Sequence, residues 1–264
     1  MVRYGFDDVI QQVGLDRLID RAKKLVRLRK ADEELVRLPQ AVRLRKAMEE
    51  LGPTFLKLGQ VLSTRPDLVP AEWADEFRKL QSDVPPVPFE KIRKLLDVEF
   101  EDGVDKVFQS IDPEPVAAAS IAQVHRAQLA DGTRVVIKVR RPGIDQVIES
   151  DMHILSLLAD FVEEHFADQG YSPREVVREF SEQIHRELDF RREGRSTDRL
   201  NRAFEDNEAI RFPKVYWRAT TASVLALEEI QGTLLSRTSP DAFSKEQRRT
   251  IVEHATDAVF RQCL

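Results

Sequence analysis

The spacing of apolar residues changes period near residue 110, and that change divides the chain. Before it the spacing is helical. Residues 5–50 predict two helices, the second broken near Pro39, and Gly52-Pro53 punctuates their end. Thr54 to Ser63 follows as a helix with Phe55, Leu58 and Leu62 three and four apart on one side. A further helix runs from Trp73 to Gln81, Pro85, Pro86 and Pro88 stiffen an extended connector, and Phe89 to Leu96 reads as a short helix. After the change of period the pattern becomes that of strands. An Asp131-Gly132 turn separates an extended run from the β-branched run Val135 to Val139, a strong hairpin signal. Helical spacing then returns. Pro142-Gly143 turns the chain into a long helix, Gln146 to Phe166, with Ile148, Met152, Leu155 and Leu158 inward. Ser172 and Glu175 around Pro173 start the next helix, which the stripe Val176, Phe180, Ile184, Leu188 carries through to Gly194 without a break. Strands at Phe212–Trp217 and Ser223–Leu227 and a last amphipathic helix from Lys245 to Leu264 complete an α+β reading.

Composition supplies a core and excludes some functions. A chain of 264 residues with 42% hydrophobic content is globular, and 41 basic against 46 acidic residues give no global attraction to nucleic acid. The distribution is uneven. From Arg17 to Lys46 eleven Lys or Arg face four Asp or Glu, a local excess of seven positive charges. Most such runs are solvated helix faces. The apolar positions Leu18, Leu25, Val26, Leu28, Leu35, Val36 and Leu38 give this one a second reading, a surface for anionic lipid. Cys263 is the single cysteine, so no internal disulfide forms. No signal peptide and no run near 18 apolar residues occurs, so the expected place is the cytoplasmic side, with peripheral membrane association.

Candidate chemistry concentrates in residues 116–140. Ala117, Ala118, Ala119 and Ser120 form a small-residue loop ahead of the hairpin, and Lys138 stands inside the returning strand. A cation in the middle of a pleated, half-buried run requires an explanation. An edge-strand lysine snorkelling into water is the plain one. The other is the layout of protein kinases, in which a tight turn, a hairpin and a strand lysine handle phosphates and the lysine pairs with a helix glutamate. Lys57 and Gln60, three apart, share a neighbouring helix face, and Lys57 alone would read as an exposed helix lysine. Glu187 and Arg191 are four apart, the spacing of a pair worth a few tenths of a kcal/mol. Asp189 and Glu193 are also four apart and repel mildly on one helix unless a cation sits between them.

Four longer strings decide between these readings: LGPTFLKLGQVLSTRPDLVP, AAASIAQVH, VVIKVRRPGI and ELDFRREG, in that order. They closely resemble the UbiB/AarF family of atypical, kinase-like proteins, over roughly residues 40–264. The resemblance implies a kinase-like small lobe, an antiparallel sheet with helices, preceded by a helical extension. The implied domains are 1–110 for the extension, 111–232 for the small lobe and 233–264 for the start of a large lobe. Lys57 and Gln60 match the family's KxGQ signature, and Glu187 with Asp189 its ExD signature, facing Lys57 and the nucleotide. Glu193 is then the partner of Lys138, Ala117 to Ser120 replace the glycine-rich loop, and Glu228, Glu229 and Ile230 form the hinge whose backbone meets adenine. Two departures stand out. Gly194 and Ser196 follow Glu193 where the family has alanine and soon an asparagine, and a mid-helix glycine costs about 1 kcal/mol, predicting a frayed or bent helix. Glu229 stands where the family favours an aromatic residue, predicting looser purine stacking.

The same resemblance implies ATP as cofactor, Mg²⁺ held by ligands beyond Leu264, and partners among the lipids or proteins of ubiquinone biosynthesis. No HxD-like or DFG-like string follows Gly232, so the expectation is an N-terminal portion that by itself neither hydrolyses ATP nor transfers phosphate. A competing reading from another class is a non-catalytic module that binds membrane or protein through its basic helices. An aminoglycoside-type small-molecule kinase fits the hairpin but leaves KxGQ and ExD unexplained.

Overall fold

A computed structural model describes Leu35 and residues 37–80, 84–165, 172–235 and 238–263. The helices expected before residue 35 lie outside the described residues. In chain order the elements are α1 (Gln40–Leu51), α2 (Pro53–Leu62), α3 (Ala71–Phe77), α4 (Phe89–Glu99), the single turn α5 (Val104–Val107), β1 (Phe108–Ala118), β2 (Ala122–Leu129), β3 (Arg134–Arg140), α6 (Ile144–His165), α7 (Pro173–Leu188), α8 (Phe190–Ala203), β4 (Val224–Glu228) and α9 (Lys245–Cys263). Contacts divide the chain into two compact units, Met1–Pro85 with Ala118–Ile121 and Gly143–His185, and Pro86–Ala117 with Ala122–Pro142 and Arg186–Leu264.

The first unit is helical. Gly52 has φ 105°, a conformation that only glycine adopts readily, so α1 stops there and Pro53 starts α2 at once. Phe55, Leu56 and Leu58 of α2 are buried, as are Met48 of α1, Phe77 at the end of α3 and Leu80 three residues after it. Gly59 has a steric reason to be glycine: a Cβ there would stand 2.2 Å from Leu80 Cδ1 and 2.9 Å from Met48 Sδ. Thr54, fully buried, donates its hydroxyl to the Asp151 carboxylate of α6. The Glu76 carboxylate, with little exposure, accepts Arg45 Nε at 2.7 Å and also takes Lys79.

The second unit is built on a sheet of order β1-β2-β3-β4. The expected hairpin is present, with Gly132 at φ 86° and β2 antiparallel to β3 in the register Gln123↔Val139 to Gln128↔Arg134. Side chains of β3 alternate. Val135, Ile137 and Val139 are fully buried with Ile92 and Leu96 of α4, while Lys138 belongs to the opposite face, opposite Leu225 of β4. On that face Phe190 of α8 packs with Leu225 and Val215.

Several expectations need correcting. The helix from Ser172 does not run to Gly194; it ends at Leu188, and α8 begins at Phe190. Asp189 is extended (φ −96°, ψ 94°), and Phe190 N–H donates to Ala222 O at 2.9 Å, so a long-range partner takes the donor that a continuous helix would use. Gly194 does not fray α8, which runs on to Ala203. It is buried against the sheet, where an added Cβ would lie 3.0 Å from Trp217, 3.3 Å from Leu225 and 3.4 Å from Val215. Phe212–Trp217 is not a strand but a single bridge, Val215↔Leu227, leading into a 3₁₀ turn at Trp217–Ala219. The helix from Trp73 ends at Phe77, and that from Phe89 extends to Glu99.

Candidate functional site

On the α8 face of the sheet, Lys138 Nζ donates to Glu193 Oε2 at 2.7 Å across 55 residues of sequence. β3 places the lysine between β2 and β4, opposite Val124 and Leu225. The ammonium also stands 4.8 Å from the centre of the Phe190 ring, a cation–π contact. With 32% of the Lys138 side chain and 44% of Glu193 exposed, the pair stays open to an incoming anion. As a stability element it is minor, since such half-exposed pairs contribute about 0–1 kcal/mol. Its value is positional: the carboxylate fixes the direction of a positive charge that solvent can reach.

Asp189 holds the helix that presents Glu193. It is the N-cap of α8, accepting Arg191 N–H at 3.2 Å and Arg191 Nε at 3.0 Å. Burial pushes the Asp189 carboxyl upward, but the hydrogen bonds from the Arg191 side chain and backbone outweigh it and hold the group below the usual carboxylate range. The expected repulsion between Asp189 and Glu193 therefore does not arise, because each has its own cation. Arg191 likewise serves Asp189, in place of the four-apart spacing read for Glu187.

At the end of β4 the side chains of the expected hinge are tied down. Glu228 accepts Arg211 and the Lys214 N–H at 3.2 Å, and Glu229 accepts Arg126 Nε at 3.1 Å with Arg134 Nε at 3.9 Å. Ile230 is 49% exposed. The remaining candidates are placed as follows. Ala117 and Glu187 belong to the same unit as Lys138; Ala118, Ala119, Ser120, Lys57 and Gln60 belong to the helical one. Lys57 and Gln60 are half-buried on α2, and Ser120 is buried.

A buried polar network was missed by the sequence reading. Gln123 and His125 of β2 are fully buried on the face shared with Ile137 and Val139. Gln123 accepts Val87 N–H at 2.9 Å and returns a bond to Val87 O at 3.2 Å, clamping the proline-rich connector. Gln123 Nε2 also lies 2.8 Å from His125 Nε2, while His125 Nδ1 lies 2.8 Å from Asp112 O. These distances fit a neutral ring donating from Nδ1 and accepting at Nε2. Burial pushes the His125 pKa down, against the pull of the Asp112 carbonyl. The signal was the period of two in AQVH, which turns two polar residues inward.

An ATP phosphate would meet an oriented, reachable ammonium at Lys138, which fits that group. Among the described residues no group of three or more His, Cys, Asp or Glu side chains is placed to hold a metal ion. Among them, too, no helix is long and apolar enough to cross a membrane.

Comparison with known proteins gives the family. The profile of the ABC1 atypical kinase-like domain matches residues 79–264. A Marinobacter nauticus protein named Probable protein kinase UbiB is 38% identical over 213 residues, 80% of this chain and 39% of the relative. One of the same name from Pseudomonas putida is 37% identical over 264 residues, 99% of this chain and 49% of the relative. The chain thus spans about half or less of the length of these curated relatives. Among solved structures, the Rv3197–erythromycin complex from Mycobacterium tuberculosis is similar, with TM-score 0.52 and 26% identity over 86% of this chain and 52% of that one.

Proposed function

Because this chain belongs to the ABC1 atypical kinase-like family, we propose that the unit built on the four-stranded sheet binds ATP, with Lys138 on the phosphates and Glu193 holding Lys138 in position. The observation behind this is the 2.7 Å contact between the two side chains, which leaves the ammonium partly open to solvent. When bound, ATP supplies the transferable phosphoryl group. The chain's own residues bind and orient it: Lys138 neutralises phosphate charge, Glu193 fixes the lysine's direction, and Asp189 caps the helix on which Glu193 stands. Glu228, Glu229 and Ile230 offer the hinge backbone to adenine. Ala117 to Ser120, and Lys57, Gln60 and Glu187, take the roles that the family strings give them. The UbiB names of the relatives support a whole protein that acts as a kinase or ATPase in ubiquinone biosynthesis, with lipids or other proteins of that process as partners. A basic segment at 17–46 that docks on anionic membrane from the cytoplasmic side suits that setting.

Calorimetric titration with ATP tests the reading on the purified chain. Saturable binding is expected, weakened about tenfold or more by Lys138→Ala, since one charge-assisted bond contributes about 1.5–3 kcal/mol. Glu193→Gln should weaken it less, because the cation remains but loses its anchor. No saturable ATP binding, or binding indifferent to Lys138→Ala, would overturn the proposal.

A further inference from the structure

A second charged site lies further along α8, away from Lys138. An open cavity of about 490 Å³, facing solvent, is lined by Phe212, Glu228, Asp198 and Asn201 and by the exposed Arg202, Arg211 and Lys214. Arg202 is nine residues beyond Glu193, about 13 Å along the helix axis. The volume falls in the range of small-molecule sites.

The walls are fixed by bonds between elements distant in sequence. Asn201 Nδ2 donates to Pro213 O at 3.0 Å, tying α8 to the segment 211–214. That segment is tied to β4 in both directions, by Glu228 N–H to Lys214 O at 2.8 Å and by Lys214 N–H to Glu228 Oε2 at 3.2 Å. The charges inside are unequally spent. Asp198 accepts the Trp217 indole N–H at 2.7 Å, and Glu228 accepts Arg211. Among the described residues, Arg202 and the Lys214 side chain have no carboxylate partner; Lys214 Nζ only stands 5.5 Å from the Tyr216 ring centre. Three cations against two carboxylates, with two cations uncommitted, select an anion carrying more than one negative charge. Phe212, half-buried and packed on Phe204 at 5.3 Å between ring centres, adds an aromatic wall.

We propose that this cavity binds a small phosphate-bearing molecule through Arg202, Arg211 and Lys214, at a site separate from the Lys138–Glu193 pair. Its walls include Glu228, at the end of the strand that leads into Glu229.

Inorganic pyrophosphate is the probe, titrated calorimetrically into the full 264-residue chain carrying Lys138→Ala, so that Lys138 contributes nothing. Saturable one-to-one binding is expected, weakened at least tenfold by Arg202→Ala with Lys214→Ala. Glu228→Gln should tighten it several-fold, since one carboxylate leaves the wall. A control pair on exposed positions of α4, Lys91→Ala with Lys94→Ala, removes the same charge elsewhere and should change affinity less than twofold. The proposal falls if pyrophosphate does not saturate, if the Arg202/Lys214 pair leaves binding intact, if the α4 pair weakens it equally, or if Glu228→Gln fails to tighten it. Failure of ATP binding at Lys138 would leave this test unaffected.

Discussion

Gly59→Ala is the sharpest probe of the helical unit, because general helix chemistry and this structure disagree about its sign. In an open helix, glycine to alanine stabilises by about 1 kcal/mol. Here the new methyl would sit 2.2 Å from Leu80 Cδ1 and 2.9 Å from Met48 Sδ, whereas carbon atoms in contact prefer about 3.5–4.0 Å. Leu80 and Met48 are each only 5% exposed, so neither side chain can swing into solvent. Overpacking of this kind costs about 1–3 kcal/mol, occasionally more, and the overlap with Leu80 puts it at the upper end. After subtracting the propensity gain, the expected loss is about 2 kcal/mol. Urea unfolding followed by Trp73 fluorescence, in a Trp217→Phe background, reports on the helical unit. Leu80→Ala by itself should cost about 2–5 kcal/mol, but the double variant should fall short of the sum by more than about 1 kcal/mol, because the clash disappears. A Gly59→Ala protein as stable as the parent, or strict additivity with Leu80→Ala, would refute the claim that Gly59 is a close-packing position.

Three further outcomes are expected. His125 is held below its ordinary 6.5 by burial, so between 6.5 and its lower folded value the unfolded chain binds more protons. Stability of the sheet unit should therefore fall as pH drops below 6.5, by up to about 1.4 kcal/mol per pH unit, read by Trp217 fluorescence in urea; His125→Gln should flatten the slope. Burial pushes the Asp151 carboxyl up, against the Thr54 hydrogen bond, so ionised Asp151 costs stability as pH rises above the ordinary carboxylate range. Asp151→Asn keeps an acceptor for Thr54 and should stabilise the helical unit at pH 7 by up to about 1 kcal/mol, with little effect at pH 3.5; a loss at pH 7 would contradict this. The basic segment 17–46 should sediment the chain with anionic but not neutral vesicles, each cation near the surface contributing about 1 kcal/mol. Equal sedimentation with both, or with neither, would remove the electrostatic account.

Much of the fold is local and could be read from residue order. Apolar spacing and turn dipeptides located the helices of residues 40–99, the Asp131-Gly132 turn and the long helix after Pro142-Gly143, because each rests on spacing within a dozen residues or on one turn dipeptide. The four family strings named Lys138 and Glu193 as partners, and the structure sets them 2.7 Å apart. One local signal went unused: Ser244 and Gln247 exchange bonds at 3.1 and 2.8 Å as the capping box that starts α9.

Only tertiary structure decided the rest, and in each case a distant partner overrode the local pattern. The apolar stripe 176–188 runs on smoothly toward residue 194, but Ala222 O captures the Phe190 N–H and ends the helix at Leu188. Residues 212–217 have strand-like composition, yet the 3₁₀ turn at Trp217 leaves a single bridge. Gly194, costly in an isolated helix, is what lets α8 lie close on Leu225 and Val215, and Gly59 does the same for α2 against Leu80. Gln123 and His125 can be buried because Val87 and Asp112, 36 and 13 residues earlier, supply their partners. Hydrogen-bond satisfaction and steric fit are settled between segments, and residue order within one segment carries no record of what the others bring to it.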